Sequence, residues 1–391
     1  MKYVNELMGL LKHNIRDYGM YIALIVIMIT FSILTDGLFM SSRNISNLLD
    51  SAGYIAVLAV GVMLVIVIRH IDLSIGFLAG FLGAIAAILL MQYGMPIYIV
   101  IPIILVLGMF AGSITGFLVA KVGIPAFVAT LAGWLIYRGA ILLATEKTGT
   151  IIVDNDAFNA IGNGFIPSIA DVGGLHLLSL IVGALGILFY IYSAISNRRN
   201  KIKYDFDVVS KPIFVLQLVF VSGIMAYITW LLAGYNGFSW TVIIILLVVL
   251  VYHFITTKTV IGRHIYAVGS NPEAAHLTGI SVSKITFLVF GSMGMLSALS
   301  GILFTARLQS ATTTAGTLFE LDAIAAAFVG GVSAAGGVGK VTGAVIGAIV
   351  MATLTNGMNL MGVGIAPQYM IRGGVLALAV IFDVMTRRQR A

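Results

Sequence analysis

Long uncharged stretches alternate with short polar ones along this chain. Residues 73–120 contain no Asp, Glu, Lys, Arg or His, and residues 212–257 contain no Asp, Glu, Lys or Arg. The first run holds two helices of about 20 residues around the turn "QYGMP" at 92–96. The second pairs two more around "GYNG" at 234–237. Runs this uniformly apolar lack the alternation of a barrel strand, and in lipid a helix satisfies its own backbone groups. The pattern predicts helices near 18–37, 52–69, 73–91, 97–120, 124–144, 175–195, 212–234, 239–257, 285–306, 341–361 and 366–384. A shorter segment near 321–335 either crosses, giving twelve crossings with both termini on one side, or is re-entrant.

Composition supports this reading. Hydrophobic residues make up 60% of the 391, charged ones only 9%, and mean hydropathy is +1.08; soluble domains run at about 25% charged. The expected fold class is therefore an all-α membrane protein. It is a polytopic bundle of about 10–12 transmembrane helices, some short or broken, with residues 1–391 forming one domain. Lys2, Lys12 and Arg16 lead into an uncharged run at 18–35 without a small-residue cleavage site, so no cleavable signal is expected. With no cysteine, disulfides and thiolate metal sites are excluded.

The net charge of +7 could suggest a nucleic-acid partner, but the charges cluster in loops between spans and none is expected. Arg43, Arg138, Lys147, Arg307 and Arg372 fall outside or in outer helix halves. The remaining 17 of the 22 basic residues, "RRNKIK" (198–203) and "RRQR" (387–390) among them, fall at cytoplasmic ends. That asymmetry places both termini in the cytoplasm and rejects the opposite orientation. The soluble parts, roughly 145–174, 196–211 and 258–284, are too short for an independent catalytic domain.

Several motifs fail on inspection. "GGVSAAGGVGKVTG" (330–343) resembles a phosphate loop, but Gly339-Lys340 is followed by Val341 where a hydroxyl should hold magnesium, and Ala334 stands at the first glycine position. The loop also precedes a span instead of opening a helix after a strand. Its glycines suit close helix approach and a broken helix. Gly339, Gly343 and Gly347 share one helical face, and Gly76, Gly80 and Gly83, and Gly108, Gly112 and Gly116, form similar ridges. "IAVLAVG" (55–61) resembles "IAAAFVGG" (324–331), a weak sign of internal duplication. No His-Glu-x-x-His, Gly-x-Ser-x-Gly or paired-carboxylate pattern points to an enzyme. His176 and His253 read as interfacial side chains.

Polar residues at membrane depth carry more information. Asp72 in "HIDLSIG" costs about 2.5–3.5 kcal/mol at a bilayer centre, so it should face protein or water. It reads as the N-cap of the third span, as a path-lining group with Ser74, or as the carboxylate of a proton-coupled secondary transporter. Arg138 in "LAGWLIYRG" reads as snorkelling to the outer headgroups or as part of an outer gate. Glu320 and Asp322 in "FELDAIAA" sit where acidic groups complement a helix dipole, opening a half-helix that enters from outside. On the other side, "GSNPEAAHLTGIS" (269–281) describes a two-turn helix: Asn271 caps it, Pro272 and Glu273 open it, and Gly279 ends it. A helix so short is marginal alone, so it is held by its neighbours or docks on a partner.

These stretches also identify a family. "IGRHIYAVGSNPEAAHLTGI", "IDLSIG", "PAFVATLAGWLIYRG" and "ELDAIAAAFVGGVSAAGGVGKVTGAVIGA" resemble, in order, the motifs of ribose-type ABC sugar importer permeases. The likeness covers nearly the whole chain and is nearest to the xylose and multiple-monosaccharide permeases, whose extra helix pair would be residues 175–234. One departure is Arg69, where the family usually has a small residue. The resemblance implies a permease homodimer, two copies of a cytoplasmic ATPase that carries the ATP and magnesium, and an extracytoplasmic sugar-binding protein, all in or at a bacterial cytoplasmic membrane. This chain itself would bind no cofactor. The loop at 258–284 would be the coupling loop, with Arg263, Asn271, Pro272, Glu273, Ala274, Ala275 and Gly279 meeting the ATPase through the small Ala274–Ala275 face. Asp72, Ser74, Phe127, Thr130, Arg138, Glu320 and Asp322 are the path or gate candidates. A related permease for an autoinducer or nucleoside remains the alternative within the family.

Overall fold

Each apolar run closes its backbone hydrogen bonds within one helix. A computed structural model describes residues 15–388 apart from Lys147 and Ala170; Lys2, Lys12, Lys147 and the end of the 387–390 basic run lie outside the described residues. The helices are α1 (Ile15–Leu34), α2 (Ser42–Val67), α3 (Ile75–Met91), α4 (Ile97–Phe117, prolonged by a π turn to Val122), α5 (Ala126–Thr145), α6 (Asp156–Asn163), α7 (Leu177–Lys203), α8 (Lys211–Ala233), α9 (Trp240–Lys258), α10 (Val260–Ser270), α11 (Pro272–Leu277), α12 (Val282–Leu308), α13 (Phe319–Val329), α14 (Val341–Leu360) and α15 (Ile365–Arg388). Among the described residues nine helices are long and apolar enough to span a membrane, and α1 and α3 are shorter apolar helices.

Short strands mark one end of the bundle. After α5, β1 (Thr150–Ile152) pairs antiparallel with β4 (Ser310–Thr312) after α12. The segment at 145–174, expected to be loop, instead folds α6 onto the end of α12. Asn155 caps α6 by accepting from the Phe158 N–H, and Asn163 Nδ2 donates to Ala306 O at 2.7 Å. A second ribbon, β2 (Asp171–Val172) and β3 (Leu175–His176), leads into α7. α10 and α11 lie at the opposite end. α1 begins there, since Met20 lies by Gly343 at the start of α14. α15 ends there, since Asp383 Oδ2 accepts from the Ala334 N–H at 3.1 Å.

α12 is the axis of the bundle, packed most extensively on α4 and then on α3 and α2. The glycine ridges carry these crossings: Gly108 and Gly112 meet Gly294, and Gly83 meets Gly301, at backbone-to-backbone distance. α7 and α8, the pair expected at 175–234, pack mainly on each other, with Gly183 against Thr229.

Three boundaries differ from expectation. α2 starts at Ser42 rather than near 52, because its polar first turns find partners: Asn44 and Asn356 exchange amide bonds at 2.9 and 3.0 Å, and Asp50 accepts from Ser239. α7 runs through "RRNKIK" to Lys203, leaving only 204–210 as the loop before α8. The 258–284 loop is mostly helical.

Two spans are broken, and the second break packs against the helix turn that follows the first. After α2, residues 70–74 run without helix before α3 begins. After β4 the chain runs back along α3 until Gly316 (φ +88°) lies against the Gly76 carbonyl, where any side chain would collide. α13 then continues towards the α11 end. Its 11 residues rise about 16 Å, half of a ~30 Å hydrocarbon core. The span is completed by the non-helical stretch before it, so the segment predicted at 321–335 crosses instead of turning back.

Candidate functional site: a coupling helix tied to two broken spans

The local sequence builds α11 as expected. Asn271 accepts from the Ala274 N–H at 3.1 Å, Pro272 occupies the first turn, and Gly279 (φ +86°) ends the helix. The outward face is different from the one expected. Ala275 is 4% exposed, turned into the chain's own core, so the Ala274–Ala275 pair does not form one docking surface. Ala274 and Glu273 are exposed, as is Arg263 on α10, and Leu277 is 85% exposed. An apolar side chain that open on a polar helix is the informative position, and nothing in the local sequence marks it. A groove of about 610 Å³ runs beside α11 and reaches His70 and Thr286.

Behind α11, three chain segments interlock. Arg69 sits just past the end of α2 in the left-handed conformation (φ +66°), where glycine is usual. Its Nε donates to Gly269 O at 2.7 Å and its Nη2 to Ser270 O, the last carbonyls of α10. Gly269 lies so close to Val67 O that a Cβ would be 1.9 Å from it. The glycine-rich loop after α13 completes the joint: the Gly337 N–H donates to Val67 O at 2.8 Å, and Tyr266 Oη to Gly339 O at 2.7 Å. Arg69 thus ties the α10–α11 junction to the break between α2 and α3. Arg69→Ala removes two charge-assisted hydrogen bonds, each worth about 1.5–3 kcal/mol. Peptides covering 264–271 should exchange amide hydrogens about tenfold faster or more; unchanged protection would show that the tie is not maintained in solution. Arg69→Lys should restore it only partly, having no planar fork.

The second cluster lies where the broken spans meet. Asp72 is buried, and its Oδ1 accepts from the Ser74 N–H at 2.9 Å and from Ser74 Oγ at 2.6 Å. It closes a turn before α3 and does not cap the helix; Ser74 holds the cap position without a side-chain cap bond. From α5, three residues at helical spacing reach three segments. Thr130 lies over Ile71 O, Trp134 Nε1 donates to Glu320 Oε1 at 3.1 Å, and Arg138 Nη1 donates to Thr313 O at 2.7 Å. Arg138 also lies 5.0 Å from the Phe77 ring centre. It therefore holds the extended half of the second broken span and does not snorkel to the headgroups. Trp134 was missed because an indole in an apolar helix gives no sequence signal of its own. Phe127 points away, 57% exposed, and joins none of these contacts.

Glu320 and Asp322 face different neighbours. Glu320 turns to Trp134, with its Oε2 buried and unpartnered beside Gly76. Asp322 turns to α15, where Arg372 Nη1 lies 2.9 Å from both of its oxygens. Dipole complementarity alone does not describe either residue. An ion pair between apolar helices is expensive unless it faces protein or water.

A helical bundle with two touching broken spans and a capped surface helix tied to one of them has the architecture of a transport protein. Comparison with known sequences places it more closely. The family model for the permease component of branched-chain amino acid transport systems matches residues 44–380. The chain is 38% identical over 381 residues to the xylose transport system permease protein XylH of Escherichia coli K12, covering 97% of this chain and 95% of that one. XylH of Haemophilus influenzae is 38% identical over 380 residues, with 96% and 98% covered. The ribose import permease protein RbsC of Haemophilus influenzae is 34% identical over 366 residues, with 93% and 91% covered. No solved structure matches. The chain belongs to this family of transport-system permeases and is a multi-pass membrane protein, a transport subunit and not an enzyme.

Proposed function

We propose that this chain is the membrane-spanning subunit of an ABC importer that moves a monosaccharide, xylose or a related sugar, across the bacterial cytoplasmic membrane. The observation that carries the reading is the likeness to xylose permeases over 97% of the chain. The α11 end is cytoplasmic in this proposal, because Arg198, Arg199, Lys201 and Lys203 of α7, Lys258 of α9, and Arg263 and Lys284 beside α11 all gather there. Both termini then lie in the cytoplasm. Two permease copies would assemble with two ATPase subunits, which hold ATP and magnesium, and with an extracytoplasmic sugar-binding protein. No cofactor is assigned to this chain.

The mechanism follows from the ties described above. An ATPase docked on α11 moves α10, Arg69 carries that motion to the break at 70–74, and the first turn of α3 just beyond it touches the second broken span at Gly316. Two backbone-to-backbone contacts make the joint stiff, so closure of the ATPases rocks α3 and α13 together as rigid elements. Asp72 and Ser74 hold the hinge turn, while Thr130, Trp134 and Arg138 keep both breaks in register with α5.

Proteoliposomes holding the permease, its ATPase and the xylose-loaded binding protein should accumulate labelled xylose only with ATP inside the ATPase compartment. Accumulation driven by a pH gradient without ATP would replace this reading with the proton-coupled one, centred on Asp72. Uptake of an autoinducer or nucleoside in preference to pentoses would keep the machinery and change the cargo.

A further inference from the structure

A cavity of about 150 Å³ opens among α2, α13, α14 and α15, beside the start of α13. Its polar lining includes Ser51, Tyr54, Asp322, Asn356, Asn359 and Arg372. The side chains there are pre-set. Asn356 is locked by its exchange with Asn44, and Asn359 Oδ1 accepts from Gln368 Nε2 at 2.8 Å. Tyr54 stands against Phe319, ring centres 4.7 Å apart. Arg372 spends Nη1 on Asp322, but its Nε is buried with no hydrogen-bond partner.

Three features specify the ligand's chemistry. Asp322 and Arg372 neutralise each other, so the cavity offers no net charge to an ion. Its polar groups are hydroxyl, amide, carboxylate and guanidinium, all of which can hydrogen-bond to sugar hydroxyls. Its volume is many times the roughly 10–15 Å³ that a single water needs, so it admits a small polar solute. The ion pair is only partly enclosed in the single chain, with Asp322 22% and Arg372 18% exposed. An ion pair at this depth faces protein or water, not hydrocarbon.

We infer that this cavity is a sugar subsite on the transport path, where a neutral monosaccharide released by the binding protein pauses on the Asp322–Arg372 pair and the flanking asparagines. The inference rests on the sugar-permease reading and adds a place where the permease itself touches cargo. Asp322 accepts from one hydroxyl while the Arg372 guanidinium donates to its neighbour. No chemical step is involved.

The chain has no cysteine, so Ser51→Cys introduces a single thiol on the exposed rim of the cavity, near-isosteric with the residue replaced. The reconstituted importer is treated with a charged methanethiosulfonate reagent, with and without ATP and D-xylose-loaded binding protein. The thiol should react from water, and D-xylose at ten times the subsite's dissociation constant should slow labelling about tenfold. A thiol that does not react, or one labelled at the same rate during turnover while the unsubstituted importer moves xylose, overturns the subsite. If the unsubstituted importer carries neither D-xylose nor D-ribose with ATP, the sugar-permease reading itself falls, and the subsite with it.

Discussion

Replacing Leu277 by Glu is expected to abolish stable association with the ATPase while leaving the permease folded. Leu277 is 85% exposed on a helix whose buried face is already satisfied by Ala275, so the chain loses no packing when it changes. In a docked complex the same side chain would be buried, and burying a leucine contributes about 1.5–3 kcal/mol. That corresponds to roughly 10- to 150-fold in affinity, and an ionised Glu in an apolar groove adds a desolvation cost to the loss. Co-purification of the two subunits should fail, ATP-driven uptake should fall to background, and thermal unfolding of the isolated permease should not move. Leu277→Met should behave almost like the native chain. A Leu277→Glu permease that binds its ATPase normally would move the docking surface elsewhere, with the exposed Arg263 and Glu273 the next positions to try.

Gly294→Leu should destabilise the chain more than any single change at its surface. A Cβ at 294 would sit 2.1 Å from Gly108 O and 2.7 Å from Gly112 N, and neither is a side chain that can swing away. α4 and α12, the most extensively packed pair, must separate to admit it. Overpacking in a tight core costs about 1–3 kcal/mol even where side chains can yield, and without that relief the midpoint in detergent should fall by about 5 °C or more. Gly139→Leu is the matched control, since a Cβ there meets nothing within 4 Å and the midpoint should hold. Equal loss at both positions would mean that glycine acts through helix flexibility and not through close approach.

That pair of glycines shows how the chain's information is divided. "GMFAGSITG" displays its ridge openly, and the helices it predicts form. Which helix the ridge meets is set by residues nearly two hundred positions away, and no local signal names Gly294 as the partner. The functional site divides in the same way. Asn271, Pro272 and Gly279 were readable because capping and helix ends depend on backbone groups within a few residues. Leu277 was not, because exposure of one apolar residue depends on which side of α11 turns inward. Arg138 and Asp322 were visible as costly polar groups, while their actual partners, Thr313 O and Arg372, are long-range and became apparent only on folding.

Taken alone, the sequence settled what depends on local chemistry and on the solvent: apolar runs must become helices in lipid, charges must gather at their ends, and a short polar stretch must cap itself to be helical at all. Order of elements, membrane class, and the existence of a surface helix between two spans follow from those constraints. The tertiary structure decided where polar groups with no local partner find one. Asp50 reaches Ser239, Arg69 reaches Gly269 and Ser270, Trp134 reaches Glu320, and the 310–329 segment crosses because its non-helical half is sheltered against α3. Burying a polar group without a partner is expensive, and the partner's position is a property of the packed bundle, not of the stretch that needs it.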